Sequence, residues 1–562
     1  MRNPLDGRRA GFDRASRHAA EMGRRFHLTL VLSMAIGVLT GLGVAGFDSA
    51  VQPVIGALAR QPLLVVALVP AAGLVAVNLL TIVWRDDDTA TTDAYVRSYH
   101  QRGGTLSLSS LWRKTVASAI TLGSGNAFGF EGPSMLIGGS IGSTVEDRFA
   151  SRLRRDDAKV LMVAGAAAGV AAVFKAPLTG VIFALEVPYR SDLARRALLP
   201  SLVAAGAAYV TYVAIIGTAP LLPTGGSAPF DLRDLGGGLA LGVVCGLLAR
   251  LGAQAIGKAK GLELSRTRRV ASAAAGMIVL APIAMWWFDA PLHLGPSYAA
   301  IEWAAQPDRA VTVLCGLFAV RAAATWLGVA GGGMGGLFIP IVTQGAIVGS
   351  IFDRLVDSPN PHLFPTIGIA AFLGAGYRTP LAAVAFVAEA TGEPGFLVPA
   401  LLAAAAAQLV MGNKSFSAYQ RNERLPDVEP LSRLPVGDIM SPSADTIDAD
   451  LDLATAVATM LRQNRRWAPV VDTTGYAGLI AVTDIALVPM EEWPTVTARD
   501  VARTDIAPAT PAETVEAVAD RMRAAHSEAV AVTSSNAVVG VVTLRDLTNI
   551  EVLLDRLNNE AS

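Results

Sequence analysis

Residues 129–138 read GFEGPSMLIG, an apolar, glycine-rich stretch that carries one carboxylate, Glu131. Pro133 suits the first turn of a helix, where its missing N–H would have no partner anyway, so the stretch predicts a helix beginning near residue 131. A helix start presents free N–H groups and the positive end of the peptide dipole, which together make a site for an anion. Glu131 is itself an anion, tethered where a mobile one would bind. Ionised, it fills the site; protonated or displaced, it leaves the site open. The blander reading is an acid that only steadies a helix dipole. The surroundings favour a gate, because an acid inside a membrane segment with no basic residue beside it in sequence is functional by default.

The same pattern occurs again. GLFIP, Gly336 to Pro340, is followed by Gly345, Gly349 and Ser350, as GFEGP is followed by Gly138, Gly142 and Ser143, at a constant offset of 207 residues. Pro340 predicts a second helix start near 338. Downstream, KAPLTGVIF (175–183) leads to Glu186 and RTPLAAVAF (378–386) leads to Glu389, at an offset of 203. Paired, broken apolar segments in two halves of a chain point to a binding site between the repeats. The segments at 116–143, 160–188, 326–350 and 366–391 are all interrupted by Gly or Pro short of the roughly 20 residues that span a bilayer. Broken helices are tolerated there only when buried in protein or lining a path.

The whole chain agrees with a polytopic membrane protein carrying soluble mass: 562 residues, 52% hydrophobic, 17% charged, mean hydropathy +0.45. The division expected is a cytoplasmic segment at 1–26, a membrane domain at 27–426 with a first helix over about 27–47, and a soluble domain at 427–562. Seven arginines within residues 1–25 argue against a compact signal peptide and place that segment in the cytoplasm. The net charge of −1 argues against a nucleic-acid partner. Cys245 and Cys315 sit in apolar runs and suggest neither a disulfide framework nor a thiolate metal site. In the soluble part, units at about 436–490 and 497–552 each read as an opening turn, a helix (452–463, 512–525) and two β-type runs, an α/β tandem repeat.

GFEGP, GGLFIP (335–340), FKAPLTGVIFALE (174–186) and the tandem units together resemble the CLC chloride channels and transporters with C-terminal CBS domains, over nearly the whole chain. The resemblance implies an all-α membrane domain of two inverted-topology repeats, a homodimer with one chloride pathway per subunit, a bacterial inner membrane and cytoplasmic termini. It implies that Glu131 is the gating glutamate and that the amides of Phe338 and Ile339, with those of Gly129, Phe130 and Gly132, cradle the anion. Phe130 stands where the family has a basic residue; Lys114 and Arg321 align with other basic positions near the pathway. The family's inner serine motif is absent, and Thr92 (or Thr91) in TATTDAYVR is the candidate hydroxyl. GSG at 123–125 lies in the wrong segment to supply it. The inner tyrosine falls at Phe416, with Ser417 and Tyr419 beside it. Proton-coupled members carry an internal glutamate where this chain has Val187, after Glu186. Glu186 is then either a structural acid or a displaced relay. In the CBS pair, TLRD resembles the nucleotide signature. Asp546 would bind ribose and Thr543 phosphate of an adenine nucleotide; Asp484 remains in the first unit, where Ala481 replaces the threonine.

The reading is a CLC-type chloride channel, with a chloride/proton antiporter as the alternative and no cofactor required. A receptor-like sensor and an enzyme are rivals of other classes. GAQAIGK (252–258) fails as a P-loop because Ala259 replaces the Ser/Thr that holds magnesium and no strand precedes it. Gly331, Gly333 and Gly336 fit a dinucleotide fingerprint but lack a βαβ unit, and the histidines form no metal pattern.

Overall fold

The computed structural model of the chain describes residues 4–84, 91–101, 104–149, 159–222, 230–296, 298–360, 362–421, 434–442, 445–463, 465–525 and 527–546. The expected junction at 426/427 and the end of the second soluble unit lie outside them. One compact unit spans Met22–Glu423, and a second holds Met1–Glu21, which includes the start of the first helix, and the C-terminal part from Arg424.

The first unit is helical. Its first half comprises α1 (Pro4–Leu58), α2 (Leu63–Trp84), α3 (Thr91–Gln101), α4 (Leu108–Gly123), α5 (Glu131–Phe149), α6 (Val160–Phe174), α7 (Pro177–Glu186) and α8 (Leu198–Ile216). The second half comprises α9 (Leu232–Lys260), α10 (Arg266–Phe288), α11 (Tyr298–Ala305), α12 (Val311–Ala330), α13 (Phe338–Val356), α14 (Leu363–Tyr377), α15 (Pro380–Thr391) and α16 (Leu397–Met411). Among the described residues, eight helices are long and apolar enough to cross a membrane by length and composition. α6, α7, α14 and α15 are shorter. The first helix runs well past the expected 27–47: nothing interrupts it, and Pro53 lies inside it without ending it.

α5 and α13 begin at the expected residues, each with proline in the first turn. α6 and α14 stop where Lys175 and Arg378 take left-handed backbone (φ 53° and 58°), after which Pro177 and Pro380 start α7 and α15. Small residues let the broken helices close on each other. Gly138 of α5 faces the carbonyl of Gly165 of α6, and Gly345 of α13 faces that of Gly368 of α14; a Cβ at either would collide with the facing oxygen. The two halves meet in a reciprocal pair. The Gly129 N–H donates to the Gly336 carbonyl at 2.8 Å, and the Gly336 N–H to that of Gly129 at 3.0 Å. Bonds exchanged between equivalent positions are what a two-fold relation between repeats produces.

The second unit holds two three-stranded sheets. One orders β2 (Ile447–Asp448), β3 (Trp467–Asp472) and β4 (Gly475–Ala481); the other orders β1 (Ser441–Pro442), β6 (Ala537–Thr543) and β5 (Ala529–Ser534). Strand β1 of the first repeat pairs with β6 of the second, so the repeats are interlocked. The helices α17 (Leu453–Arg462) and α20 (Val515–Ala524) match the expected runs; α18 (Val482–Ile485) and α19 (Ala498–Val501) are short. β4 ends at Ala481 and β6 at Thr543, because the backbone turns into a helix at each point.

Candidate functional site

Glu131 opens α5 and is fully buried. Its Oε1 accepts the Phe338 N–H, the first amide of α13, at 2.5 Å, with the Ile339 amide alongside. Phe338 is the residue 207 positions on, so the carboxylate bonds to the amide of its own equivalent in the other repeat. Gly129 and Gly336 flank the carboxylate so closely that a Cβ on either would overlap it, which explains the glycines bracketing the acid. The other oxygen, Oε2, is buried without a hydrogen-bond partner among the described residues. An ionised carboxylate with an unpaired buried oxygen is costly. The arrangement is suited to a group that alternates between charged and protonated forms, or gives way to another anion.

The repeated phenylalanines hold the Phe338 amide in place. Ring centroids of Phe183 and Phe386, one from each motif, lie 5.1 and 5.0 Å from that of Phe338, and Phe174 lies at 4.5 Å. Edge-on aromatic packing of this kind adds to the area it buries and fixes a rotamer.

A cavity adjoins the docked carboxylate, its wall including Thr92, Asp93, Lys260, Leu337, Tyr377 and Phe416. Leu337 directly precedes the amide that holds Glu131. Thr92 is 5% exposed and its Oγ1 has no partner among the described residues. The expected Thr92 and Phe416 therefore meet. Tyr419 does not belong with them: it is 45% exposed, has φ 65° and lies under the Arg97 guanidinium at 5.3 Å. The phenol on the wall is Tyr377, the last residue of α14. Sequence reasoning looked for it near residue 416 and missed it. Its one sequence signal is a phenol ending an otherwise apolar, small-residue helix, just before the RTPL motif.

Lys260 reaches Asp93 Oδ2 at 2.5 Å and the Phe416 carbonyl at 3.1 Å. Asp93 Oδ1 also accepts from the Ser417 hydroxyl at 3.0 Å and the Ala418 N–H at 2.9 Å.

The paired glutamates exchange helix starts. Glu186, at the end of α7, accepts the Leu381 and Ala382 N–H groups of α15 at 3.3 and 2.8 Å. Glu389, near the end of α15, accepts those of Leu178 and Thr179 of α7 at 2.9 and 2.7 Å, and the Thr179 hydroxyl at 2.6 Å. Each acid fills the otherwise empty donors of the other half's helix. The structural alternative for Glu186 is thus the one its contacts favour. Val187 carries no titratable group, and its carbonyl accepts Gln420 Nε2 at 2.9 Å.

One expected neighbour of the anion is otherwise engaged. The Gly129 amide is spent on Gly336, and Phe130 is a buried ring edge-on to Phe47 at 5.7 Å. Gly132 lies in the first turn of α5, beside Glu131. Arg321 and Lys114 do not project into an open mouth. Both are buried, and Arg321 donates to the carbonyls of Leu292, Leu294 and Gly295 at 3.0–3.1 Å, bracing the loop before α11.

In the soluble unit, the Thr543 N–H and hydroxyl both donate to Asp546 Oδ2, at 2.8 and 2.7 Å. The clasp starts the helix that ends β6. Ala481 has no hydroxyl to do the same, and Asp484 Oδ2 is buried without a partner among the described residues.

Comparison with known proteins places these features. A family model described as voltage gated chloride channel matches residues 72–412, and the CBS domain model matches 436–491 and 498–552. A relative named H(+)/Cl(-) exchange transporter ClcA from Citrobacter koseri is 28% identical over 328 residues, 54% of this chain and 67% of its own. A protein of the same name from Salmonella typhimurium is 26% identical over 419 residues, covering 68% and 85%. Among solved structures, a slow cyanobacterial Cl-/H+ antiporter has TM-score 0.60 and 25% identity, covering 68% of this chain and 94% of the other. A eukaryotic CLC transporter shares the fold at TM-score 0.60 and 19% identity, over 93% and 98%.

Proposed function

Because the chain belongs to the voltage gated chloride channel family, we propose that it carries chloride across a membrane in exchange for protons, with Glu131 as the group that binds in turn the place of the anion and the proton. The observation that carries this reading is the carboxylate seated on the first amide of α13, with its second oxygen unpaired. The next anion position is the cavity beside it, where the hydroxyls of Thr92 and Tyr377 would hold chloride and Phe416 would narrow the approach. The weak field of helix amides and hydroxyls binds an anion without the grip of a full charge in low dielectric, so it can leave again.

The names of the relatives favour exchange; Val187 favours the second reading, a chloride channel gated by Glu131, since the usual internal acid is missing. The expected result is proton uptake against its gradient when an outward chloride gradient is set across proteoliposomes. The reversal potential should shift with an imposed pH gradient. A potential that follows chloride alone establishes the channel instead.

The reading includes a homodimer in a bacterial inner membrane with both termini in the cytoplasm, which native mass measurement and protease accessibility in oriented vesicles test. It also includes a regulatory adenine nucleotide at the CBS pair, held by Asp484, Thr543 and Asp546. The Thr543–Asp546 clasp presents the hydroxyl and carboxylate together, as such a ligand needs. Calorimetry of the whole protein with ATP tests it, and absence of heat leaves the pair structural.

A further inference from the structure

Exchange needs a route for protons on the side of the pathway away from Glu131, and neither Val187 nor the helix-capping Glu186 is placed to supply it. Four other carboxylates among the described residues are buried: Asp93, Glu131, Glu146 and Asp353. Asp353 is paired with Arg354, and Glu146 lies about four turns along α5 from Glu131. Only Asp93 lines the cavity that adjoins the docked Glu131.

We propose that Asp93 is the proton-handling residue at this end of the pathway, and that it works by trading Lys260 with the transported anion. The proposal rests on the exchange reading given above. Asp93 faces Lys260 from α9, Tyr377 from α14, and Ser417 and Ala418 from the segment after α16. Its side chain is 6% exposed, while that of Lys260 is 28% exposed, so the pair bridges the cavity and its surroundings. With no anion present, the ammonium is paired with Asp93. A chloride that enters beside Thr92 and Tyr377 becomes a competing partner for Lys260. It also adds a like charge next to Asp93, which favours protonation of the carboxylate. Asp93 then takes one proton from solution. Asp93 then gives up that proton toward Glu131 through the cavity whose wall it shares with Tyr377. Only O–H bonds are exchanged: one proton arrives at Glu131, and Asp93 returns to its ionised pairing with Lys260. Anion occupancy and proton uptake are thereby linked at one residue.

The test is chloride-driven proton movement in proteoliposomes containing the full chain. Asp93→Asn keeps the shape and the two acceptor contacts on Oδ1, from Ser417 and Ala418, and loses only the one from Lys260. It should conduct chloride while its proton movement falls to background and its reversal potential ignores the pH gradient. Glu186→Gln should keep coupling. Should Asp93→Asn leave Lys260 uncompensated and fail to fold, the neutral pair Asp93→Asn with Lys260→Gln should show the same uncoupled chloride flux. An unchanged proton-to-chloride ratio in either folded variant overturns the proposal. So does loss of chloride flux in both, which would make the pair a structural brace. If the unmutated protein moves no protons at all, the exchange reading itself has failed, a result visible before any variant is made.

Discussion

Chloride flux through Glu131→Gln proteoliposomes should rise and lose its dependence on pH. The amide keeps the shape of the side chain and an oxygen for the Phe338 N–H, but it carries no charge. A hydrogen bond to a charged group contributes roughly 1.5–3 kcal/mol against about 0.5–1.5 for a neutral one, so losing the charge should lower occupancy of the docked state by about five- to ten-fold. The sign of the pH effect in the unmutated protein follows. As pH falls, the carboxylate takes up a proton, ceases to compete with chloride for the amide, and the path opens; as pH rises, it docks again. The variant has no such titration, so its flux should be high and flat. It should also move no protons, since the proton's binding site is gone. Flux at background, with protein of normal size and thermal stability, would remove Glu131 from the pathway.

Gly336→Ala should act through the same carboxylate from the other repeat. The new methyl group would overlap Glu131, while the backbone bonds to Gly129 need no change. Overpacking of this kind costs typically about 1–3 kcal/mol, comparable to what docking contributes. The side chain should therefore be driven off its amide, giving raised, weakly pH-dependent flux and a lower melting temperature. Shortening the acid removes the collision, so in a Glu131→Ala background the same substitution should cost little stability. This double-mutant cycle separates the alternatives. An equal drop in melting temperature in both backgrounds would show that Gly336 serves its own backbone and not the carboxylate.

The parts of this architecture that depend on local chemistry were legible in the chain. Pro133 and Pro340 mark the starts of α5 and α13 because proline tolerates only the first turn of a helix. The constant offsets of 207 and 203 residues reveal the repeat. What could not be read depends on which segments meet. Tyr377 reaches the cavity from the end of α14, not from the segment around Phe416, and nothing in its neighbours announces that. Asp93 lies in a polar stretch, and the partner that distinguishes it, Lys260, is 167 residues away. Arg321 aligned with a basic position near the pathway, yet three loop carbonyls claim it. TLRD alternates like a strand, yet β6 ends at Thr543 because Asp546 reaches back to start a helix.

The exchange of glutamates between α7 and α15 bears on how the protein is made. Synthesis runs at about 5–20 residues per second, and Glu389 follows Leu178 by 211 residues. For roughly 10–40 s, then, the ribosome has delivered α7 but not the acid that completes it. Uncapped amides cannot be left against lipid, so the first half must wait in a surrounding that still offers water or another partner, such as the insertion machinery. Neither half is a finished object on its own. A chain truncated after α8 should be cleared by quality-control proteases, and the second half supplied as a separate polypeptide should rescue it.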